Sequence, residues 1–502
     1  MGAWPWGVAL SRRPIVLGSF TLIAFLKVSL VAIYGPIFVP DTSGYIAVAD
    51  EMLKSTAWLN DAQLSAGPFP PLAIRMIGYP AILAAAMQIA GPLWPYLVVA
   101  LQFTVTMVAL WAIYALGIAL RLPWGLALFA VVAFATCDQL VTDQCILTDS
   151  LNADFIIFAV CILAYGAGSE RPLSLWGAAA AGTLLVPAFL LREAMPFLAT
   201  TMLPLVVVRC CRDWSGAAAI RAILACALVL LPLMGTAELY KAWNQHRTGE
   251  RFVTTSAQLT LMLAQIIAAK HDHEVFAGDT PLDRAARQRV RKYDFADITP
   301  INRALIEEGY RPTEIARMSQ AHYFATWQTN PLAMLHVLRD RTSEHAAKLA
   351  FHPLSASCDL IEWATKIRQC PDYRDLLRAA RSAFSHEPFA QPIFFLLETC
   401  ELTISIAVFS AFVLGAPLLW VSSWRRHGWR RAEWETVILA WWAMYVGWFV
   451  LYAVVNMESR YMNPVLPFSL LGGLKVWQEL RRRAHLHRGR TRDTGDRPVI
   501  TT

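Results

Sequence analysis

The sequence predicts an all-α polytopic membrane protein with about ten transmembrane helices and a mainly helical extracytoplasmic domain. Of its 502 residues, 56% are hydrophobic and only 16% are charged, whereas soluble domains carry about 25% charged residues. Apolar runs near the ~20 residues that a spanning helix needs recur along the chain. Arginines and lysines cluster in the short connections between these runs, as is typical of membrane proteins.

Ten apolar runs supply the predicted spans. They lie near 14–39, 93–120, 122–137, 150–168, 173–191, 195–209, 217–240, 391–422, 434–455 and 461–477. The first run follows two arginines as a signal peptide would, but it is too long for an h-region and lacks a small-residue cleavage site, so we expect it to be retained. The shorter run 79–90 suits an interfacial or re-entrant helix of the first outer loop better than a span.

Positive charge sets the predicted orientation. Alternate connections are basic, holding Arg12 and Arg13, Arg121, Arg171, Arg209 and Arg212, the cluster 425–431 and the arginines 481–483. Cytoplasmic loops of membrane proteins carry such an excess of Lys and Arg, so both termini should be cytoplasmic. We expect a multi-pass integral membrane protein.

Four regions follow from this topology. Residues 1–240 form an N-terminal transmembrane module whose first outer loop is 40–92. Residues 241–390 form an extracytoplasmic domain, since that insertion is long enough to fold by itself. Residues 391–480 supply the C-terminal transmembrane helices, and 481–502 form a basic cytoplasmic tail that we expect to be disordered.

Composition argues against several other classes. The net charge of +7 lies between apolar runs, so we expect no nucleic-acid partner. None of the nine cysteines lies in a CxxC pair or near histidines that could be ligands, so a zinc site has little support. Cys358 and Cys370 fall in the predicted outer domain, where a disulfide between them is permitted but not required. His271 and His273 are not expected to bind metal.

Charged residues at the edges of spans are the functional candidates, because burying a charge at a helix centre costs about 2.5–3.5 kcal/mol on insertion scales. A shared cavity at the outer leaflet would bring them together. They are Asp41, Arg75, Asp138, Asp143, Asp149, Arg192, Glu193, Glu398, Glu401, Glu458 and Arg460. Lys27, in the middle of the first span, should face the bundle interior and have a structural partner.

The candidates lie in recognisable motifs. The first outer loop holds Val39-Pro40-Asp41-Thr42-Ser43-Gly44-Tyr45 and then Arg75-Met76-Ile77-Gly78-Tyr79-Pro80. Later come Leu147-Thr148-Asp149-Ser150-Leu151, Leu191-Arg192-Glu193-Ala194, Trp243-Asn244-Gln245-His246-Arg247-Thr248-Gly249, Thr329-Asn330-Pro331 and Glu458-Ser459-Arg460-Tyr461. In this order they resemble the GT-C superfamily of membrane glycosyltransferases, in particular bacterial relatives of the protein O-mannosyltransferases and of the aminoarabinose and galacturonic-acid lipid A transferases.

The match departs from the superfamily at two positions. Thr42 follows Asp41 where many relatives have Glu, and Ile77 stands where proline is common. Any second carboxylate must therefore come from another part of the chain, and the sugar stays undetermined.

The resemblance implies an inverting, metal-independent transfer of a sugar from a polyprenyl phosphate to an extracytoplasmic hydroxyl of a lipid, glycan or protein, with no cofactor. It also implies that the protein lies in the bacterial inner membrane. Such a reaction needs a base for the acceptor's proton, and Asp41 is our candidate, with Asp149 as a second catalytic or acceptor-site carboxylate. Fixed guanidinium groups would stabilise the departing lipid phosphate. Arg75, Arg192 and Arg460 are the candidates for that role, and Tyr45, Tyr79, Glu458 and Tyr461 are expected to line the substrate pocket.

Each assignment has a structural alternative. Asp41 and Asp149 could simply cap the helices that begin beside them. Arg192 with Glu193, and Arg460 with Glu458, could be structural ion pairs, and Arg75 could contact lipid headgroups. The alternative functions are an undecaprenyl-diphosphate glycan ligase or polymerase, and a non-enzymatic glycolipid transporter, although no internal repeat of the kind that secondary transporters show is apparent.

Overall fold

The fold is known here from a computed structural model, which describes residues 14–60, 70–166, 172–211, 215–345, 351–366, 390–427, 433–455 and 458–493. Within these ranges the regular structure is helical, and the extended backbone forms only an isolated bridge between Ile37 and Cys145. The predicted all-α class is therefore confirmed.

The N-terminal half contributes thirteen helices within the described ranges. They are α1 Pro14–Tyr34, α2 Thr42–Lys54, α3 Ala57–Asn60, α4 Pro71–Ile74, α5 Gly78–Ala90, α6 Trp94–Ala119, α7 Trp124–Thr136, α8 Asp138–Gln144, α9 Asp149–Ala164, α10 Leu175–Leu191, α11 Met195–Thr200, α12 Leu203–Cys210 and α13 Gly216–Thr248.

The described part of the C-terminal half adds ten more. They are α14 Ala257–His271, α15 Pro281–Arg289, α16 Ile298–Glu307, α17 Pro312–Thr329, α18 Pro331–His345, α19 Pro353–Thr365, α20 Ala390–Val413, α21 Gly415–His427, α22 Glu433–Val455 and α23 Leu466–Asp493. A short 3-10 turn, Ser459–Met462, precedes α23.

The described helices make the chain an integral membrane protein. Five stretches are long and apolar enough to cross a bilayer: Pro14–Tyr34, Gly78–Ala119, Gly216–Thr248, Thr399–Arg425 and Trp434–Val455. A sixth candidate is the pair α7 and α8, which is bent by 48°. The expected total of about ten spans is not confirmed, since several predicted spans are short or broken.

Prolines and glycines explain two of these breaks. The predicted span 195–209 is divided between α11 and α12, and Pro204 stands in the first turn of α12, where proline is tolerated but, lacking an N–H, cannot continue the hydrogen bonds of a preceding helix. Between α5 and α6, Gly91 has a φ of +51°, which favours glycine. The interfacial or re-entrant placement of α5 stays a prediction.

The expectation of a disordered tail from residue 481 is wrong as far as Asp493. Helix α23 continues through the basic segment to that residue. Glu479 lies at helical spacing from both Lys475 and Arg482, with N···O distances of 3.6 and 3.0 Å, and such i,i+4 and i,i+3 pairs stabilise a helix. Residues beyond Asp493 lie outside the described ranges.

Three hydrophobic cores organise the described helices, one of them around Tyr45, Tyr79 and Ile146. The largest core joins α1, α6, α7 and α9 to α13 with α20 to α23, and α10 packs closely on α13. Gly182 allows that approach, because a Cβ there would lie 2.3 Å from the carbonyl oxygen of Leu228. The second core joins α14 to α18 and includes Met262, Ile266 and Ile301. The mainly helical character of the predicted outer domain is thus observed in these helices.

The first domain boundary differs from the expected one, because helix α13 continues past residue 240 to Thr248. Cys358 is disulfide-bonded. Cys370, the partner that the sequence permits, lies outside the described residues.

Candidate active site

Six of the charged residues predicted from the sequence meet at one place. Arg75 Nη2 donates to Asp41 Oδ1 at 2.7 Å, and Arg192 Nη1 donates to Asp149 Oδ1 at 2.6 Å. Arg460 lies between the two aspartates, with N···O distances of 3.5 Å to Asp41 and 3.6 Å to Asp149. Its Nε donates to Glu458 at 2.6 Å. We refer to these six residues as the ion cluster.

The side chain of Asp41 does not cap a helix. Asp41 occupies the N-cap position of α2, but its carboxylate makes no capping hydrogen bond. It is directed to Arg75 and Arg460 instead, and it is 42% exposed. The carboxylate is therefore the most accessible acid of the ion cluster.

The carboxylate of Asp149 is also used for ion pairing. Thr148 occupies the cap position of α9, and Asp149 is the first helical residue. Its side chain is only 3% exposed and is paired with Arg192. The structural alternative of a surface pair between Arg192 and Glu193 is therefore not favoured, because Arg192 is directed to Asp149.

Backbone pairing between two loops holds the two aspartates near each other. The N–H of Ile146 donates to the carbonyl of Ile37 at 2.9 Å, and the hydroxyl of Thr42 donates to the carbonyl of Ile146 at 3.0 Å. Asp41 directly precedes Thr42, and Asp149 lies three residues after Ile146. The first outer loop and the start of α9 are therefore fixed together.

Two glycines make room for the arginines. A Cβ at Gly78 would lie 2.6 Å from the carbonyl oxygen of Leu190, and a Cβ at Gly44 would lie 3.1 Å from Arg75 Nε. Gly78 thus lets the start of α5 contact the end of α10. Because Arg75 precedes Gly78 by three residues and Arg192 follows Leu190 by two, this contact brings both guanidinium groups into one site.

Two tyrosines flank the guanidinium groups. The ring centre of Tyr461 lies 4.1 Å from the Arg192 guanidinium carbon and 5.5 Å from that of Arg460. The Tyr45 ring lies 4.7 Å from the guanidinium carbon of Arg75. Such cation–π contacts contribute on the order of 0.5–2 kcal/mol each and fix the orientation of the guanidinium planes.

Tyr79 packs against one of these tyrosines. It is fully buried, and its hydroxyl donates to Gln102 at 2.9 Å. Its ring packs against Tyr45 with centroids 5.2 Å apart. Tyr79 therefore supports Tyr45, and its place in the substrate pocket stays a prediction.

Charge is balanced within the ion cluster, because three guanidinium groups face three carboxylates. Burial raises the pKa of the Asp41 carboxyl, but the charge and hydrogen bond of Arg75, together with Arg460 and Arg192, outweigh it and hold that pKa below its ordinary value. Burial lowers the pKa of Arg460, but Asp149 and Glu458 outweigh it and raise that pKa. Asp41 and Arg460 are thus both ionised at neutral pH.

Two predicted rim carboxylates lie elsewhere. Helix α8 turns by 48° after α7 and carries Asp138 and Asp143 into the protein interior. Asp138 lies 3.2 Å from His352, and Asp143 pairs with Lys27. Their expected place in a shared rim site is therefore wrong, whereas the prediction that Lys27 faces inward with a partner is confirmed.

The other carboxylates expected at the rim are Glu193, Glu398 and Glu401. Glu401 accepts a hydrogen bond from the N–H of Leu354 at 2.6 Å. Glu193 lies near enough to Arg75 to act on it electrostatically. The side chain of Glu398 lies outside the described residues.

Sequence reasoning missed the polar residues beneath the ion cluster. Gln139 and Asn463 are buried and hydrogen-bonded to each other at 3.0 Å, and Thr106 lies beside them. Polar side chains inside otherwise apolar runs were the available signal, because such groups are buried only where partners exist.

Comparison with known proteins gave structural neighbours only. No family model matches the chain, and no curated protein matches it. The apo oligosaccharyltransferase of Archaeoglobus fulgidus matches at 12% identity and a TM-score of 0.47, covering 98% of this chain and 54% of the archaeal one. This chain therefore spans about half the length of that protein.

ArnT from Cupriavidus metallidurans is a second structural neighbour. Its apo structure matches at 15% identity and a TM-score of 0.34, covering 92% of this chain and 78% of ArnT. Its structure with undecaprenyl phosphate matches at 14% identity and a TM-score of 0.32, covering 94% and 78%. All three of these matches have TM-scores under 0.5.

Proposed function

We propose that the protein is a glycosyltransferase that moves a sugar from a polyprenyl phosphate to an extracytoplasmic hydroxyl group. The observation that carries this proposal is the position of Arg460 between Asp41 and Asp149. This arrangement brings a cation that can bind a leaving phosphate and a carboxylate that can accept a proton into one site.

Arg460 is the best placed of the three arginines to bind the phosphate. Its Nε is held by Glu458 at 2.6 Å, whereas its two terminal nitrogens lie 3.5 and 3.6 Å from Asp41 and Asp149, beyond the usual 2.7–2.9 Å of a charge-assisted hydrogen bond. A phosphate can replace these two long contacts at little cost. In Arg192 and Arg75 a terminal nitrogen has a short carboxylate contact, so these arginines orient the aspartates and add positive potential.

Asp41 is the proposed base. As the acceptor oxygen attacks the anomeric carbon, its proton passes to Asp41, and the bond between that carbon and the phosphate oxygen breaks. The lipid phosphate leaves with an additional negative charge, which fixed guanidinium groups stabilise. Attack opposite to the leaving phosphate inverts the anomeric configuration. Arg75 lowers the basicity of Asp41, so proton transfer is favoured when a bound phosphate draws the guanidinium groups away from it.

An apolar cavity supports a lipid-borne donor. It has a volume of about 500 Å³ and lies between α1, α8, α19 and α20. Its walls include Leu26, Leu30, Leu140, Leu360, Leu397 and Ile404. Apolar surface of this kind can accept a hydrocarbon chain from the bilayer, whose interior is equally apolar.

The site is proposed to face the periplasm or cell exterior, with both termini in the cytoplasm. This orientation is supported by the basic connections on the opposite side of the predicted spans. A hydroxyl of a lipid, a glycan or a protein suits the proposed reaction equally, because the ion cluster selects only for a hydroxyl nucleophile.

The undecaprenyl-diphosphate ligase or polymerase remains the alternative transferase. Three arginines could receive two phosphates, but each arginine already has a carboxylate partner. Such an enzyme would not require Asp41. A glycolipid transporter would require none of the proton transfer that the two aspartates offer.

The proposed function is tested by incubating purified protein with a panel of polyprenyl-phosphate and polyprenyl-diphosphate sugars. We expect release of lipid phosphate from a monophosphate donor, and we expect Asp41→Asn to abolish it. Asp50→Asn is the matched control, because Asp50 lies on the same helix outside the ion cluster. Full activity of Asp41→Asn, or release from diphosphate donors alone, would remove the proposal.

A further inference from the structure

A buried polar network lies beneath the ion cluster. Its centre is Asp143, which is fully buried and pairs with Lys27. Asp143 also accepts hydrogen bonds from Ser150 at 2.5 Å and from Gln139 at 2.7 Å. The hydroxyl of Thr106 lies 2.8 Å from Asp143 Oδ1, the oxygen that also accepts from Ser150 and Gln139. One carboxylate therefore joins four helices, α1, α6, α8 and α9.

The network is connected to three members of the ion cluster, Asp149, Arg460 and Asp41. Ser150 directly follows Asp149. Asn463 lies three residues after Arg460, and its amide donates to Gln139 at 3.0 Å. Lys27 is on α1, the helix that leads into Asp41.

Counting protons assigns the charges in the network. Thr106 Oγ1 lies 2.8 Å from both Asp143 and Asp154 and accepts from Gln139 at 2.9 Å. A hydroxyl has only one proton to donate, so it cannot donate to two carboxylates. Asp154 must therefore carry its own proton and donate to Thr106, which then donates to Asp143. The network is neutral overall, since Lys27 balances Asp143.

We propose that Asp143 is a positioning residue of the transferase, and that neutral Asp154 is not. The proposal rests on the proposed function. Asp143 fixes the separation of Asp41, Asp149 and Arg460 by holding Lys27, Ser150 and Gln139, whereas Asp154 contacts only Thr106 among the described residues. Its Oδ1 has no hydrogen-bond partner there.

The test compares the same substitution at two buried positions. Asp143→Asn leaves the Lys27 ammonium group buried without a counter-charge, which strongly destabilises a protein. Asp154→Asn replaces one neutral donor with another. It should leave the melting temperature unchanged and kcat within about twofold of the wild type. Equal effects of the two substitutions would overturn the assignment of charge.

A second variant separates positioning from folding. In Lys27→Met with Asp143→Asn, both charges are removed, so thermal melting should recover most of what Asp143→Asn loses. The amide introduced at position 143 brings a donor of its own. The groups around it, Lys27, Thr106, Gln139 and Ser150, also donate, so one hydrogen-bond position remains mismatched. We expect kcat to stay about tenfold below the wild type with KM within twofold. Full kcat in this double variant would overturn the positioning role.

The control for a merely structural effect lies in the second core. Gln265 is buried there, and its amide donates to the carbonyl of Ser319 at 2.8 Å. Gln265→Leu should lower the melting temperature without changing kcat or KM. A tenfold loss of kcat in this control would show that any destabilisation lowers turnover, and it would overturn the inference.

Hydrogen exchange tests the positioning role of Asp143 without an activity assay, so its outcome does not depend on the proposed function. We expect peptides holding Asp149 and Arg460 to exchange faster in the double variant and to be unchanged in Asp154→Asn. If the wild type releases phosphate from no donor, the proposed function fails, while faster exchange still supports the mechanical link. Unchanged exchange in both peptides would overturn the link even in an active enzyme.

Discussion

The ion cluster and the buried network use the same kinds of side chain in opposite ways. In the ion cluster Asp41 is 42% exposed and Arg460 has two contacts of about 3.5 Å. In the network Lys27 and Asp143 are 1% and 0% exposed and directly paired. Accessible charges with long contacts can exchange partners for a substrate, whereas fully buried charges cannot separate without a large cost.

Loss of a charge in the ion cluster should have the largest effect on activity. Arg460→Met removes the proposed phosphate contact, and we expect kcat/KM for lipid-phosphate release to fall about 10²–10³-fold, as for other lost transition-state contacts. Arg251→Met is the control, since Arg251 is 53% exposed in its pair with Glu238. Similar rates for Arg460→Met and the control would contradict the assignment.

Loss of a charge in the buried network should have the largest effect on stability. Breaking a buried ion pair costs about 3–5 kcal/mol, so Asp143→Asn should lower the melting temperature far more than Asp41→Asn does. Thermal unfolding of both variants in the same detergent measures this difference. Equal shifts would remove the distinction between the two regions.

Disturbed packing around the ion cluster should have the next largest effect. Gly78→Ala places a Cβ 2.6 Å from the Leu190 carbonyl, and overpacking of this kind costs about 1–3 kcal/mol. We expect a lower melting temperature and weaker activity, because Arg75 and Arg192 move apart. Gly125→Ala is the control, since a Cβ there contacts no atom within 4 Å. Wild-type behaviour of Gly78→Ala would contradict this account.

The pH dependence should be smaller and confined to acid. The pKa of Asp41 is lowered in the folded protein from its ordinary value of 3.8, so its ion pairs stabilise the protein above that value. This contribution is lost as pH falls through the folded pKa. We expect the difference in melting temperature between wild type and Asp41→Asn to be constant from pH 7 to about pH 5 and to shrink below about pH 4. A difference that grows in acid would contradict the pairing.

Removal of divalent metal should have the smallest effect. Guanidinium groups are proposed to stabilise the leaving phosphate, so a chelator such as EDTA should leave the rate of lipid-phosphate release unchanged. Loss of activity that returns with added magnesium or manganese would contradict a metal-independent reaction.

The sequence was sufficient to find the ion cluster but not the network. Charged residues at span ends are costly, and their motifs identified Asp41, Asp149 and Arg460 in advance. The bend between α7 and α8 has no comparably strong signal, so Asp138 and Asp143 were assigned to the rim although they lie inside. Which buried polar groups contact one another depends on tertiary packing, which hydropathy does not specify.

Span counting was limited for a related reason. Apolar composition identifies helices but does not reveal every break, as at Pro204. Helix α23 shows the converse, because a basic segment that is expected to be disordered is helical as far as Asp493.

The central claim is that Arg460 receives a lipid-borne phosphate between two aspartates. It is tested most directly by titrating purified wild type, Arg460→Met and Arg251→Met with a polyprenyl phosphate and with the matching polyprenol. We predict that Arg460→Met raises the Kd for the phosphate at least tenfold, that Arg251→Met leaves it unchanged, and that the polyprenol binds all three alike. Equal phosphate affinity in wild type and Arg460→Met would contradict the claim.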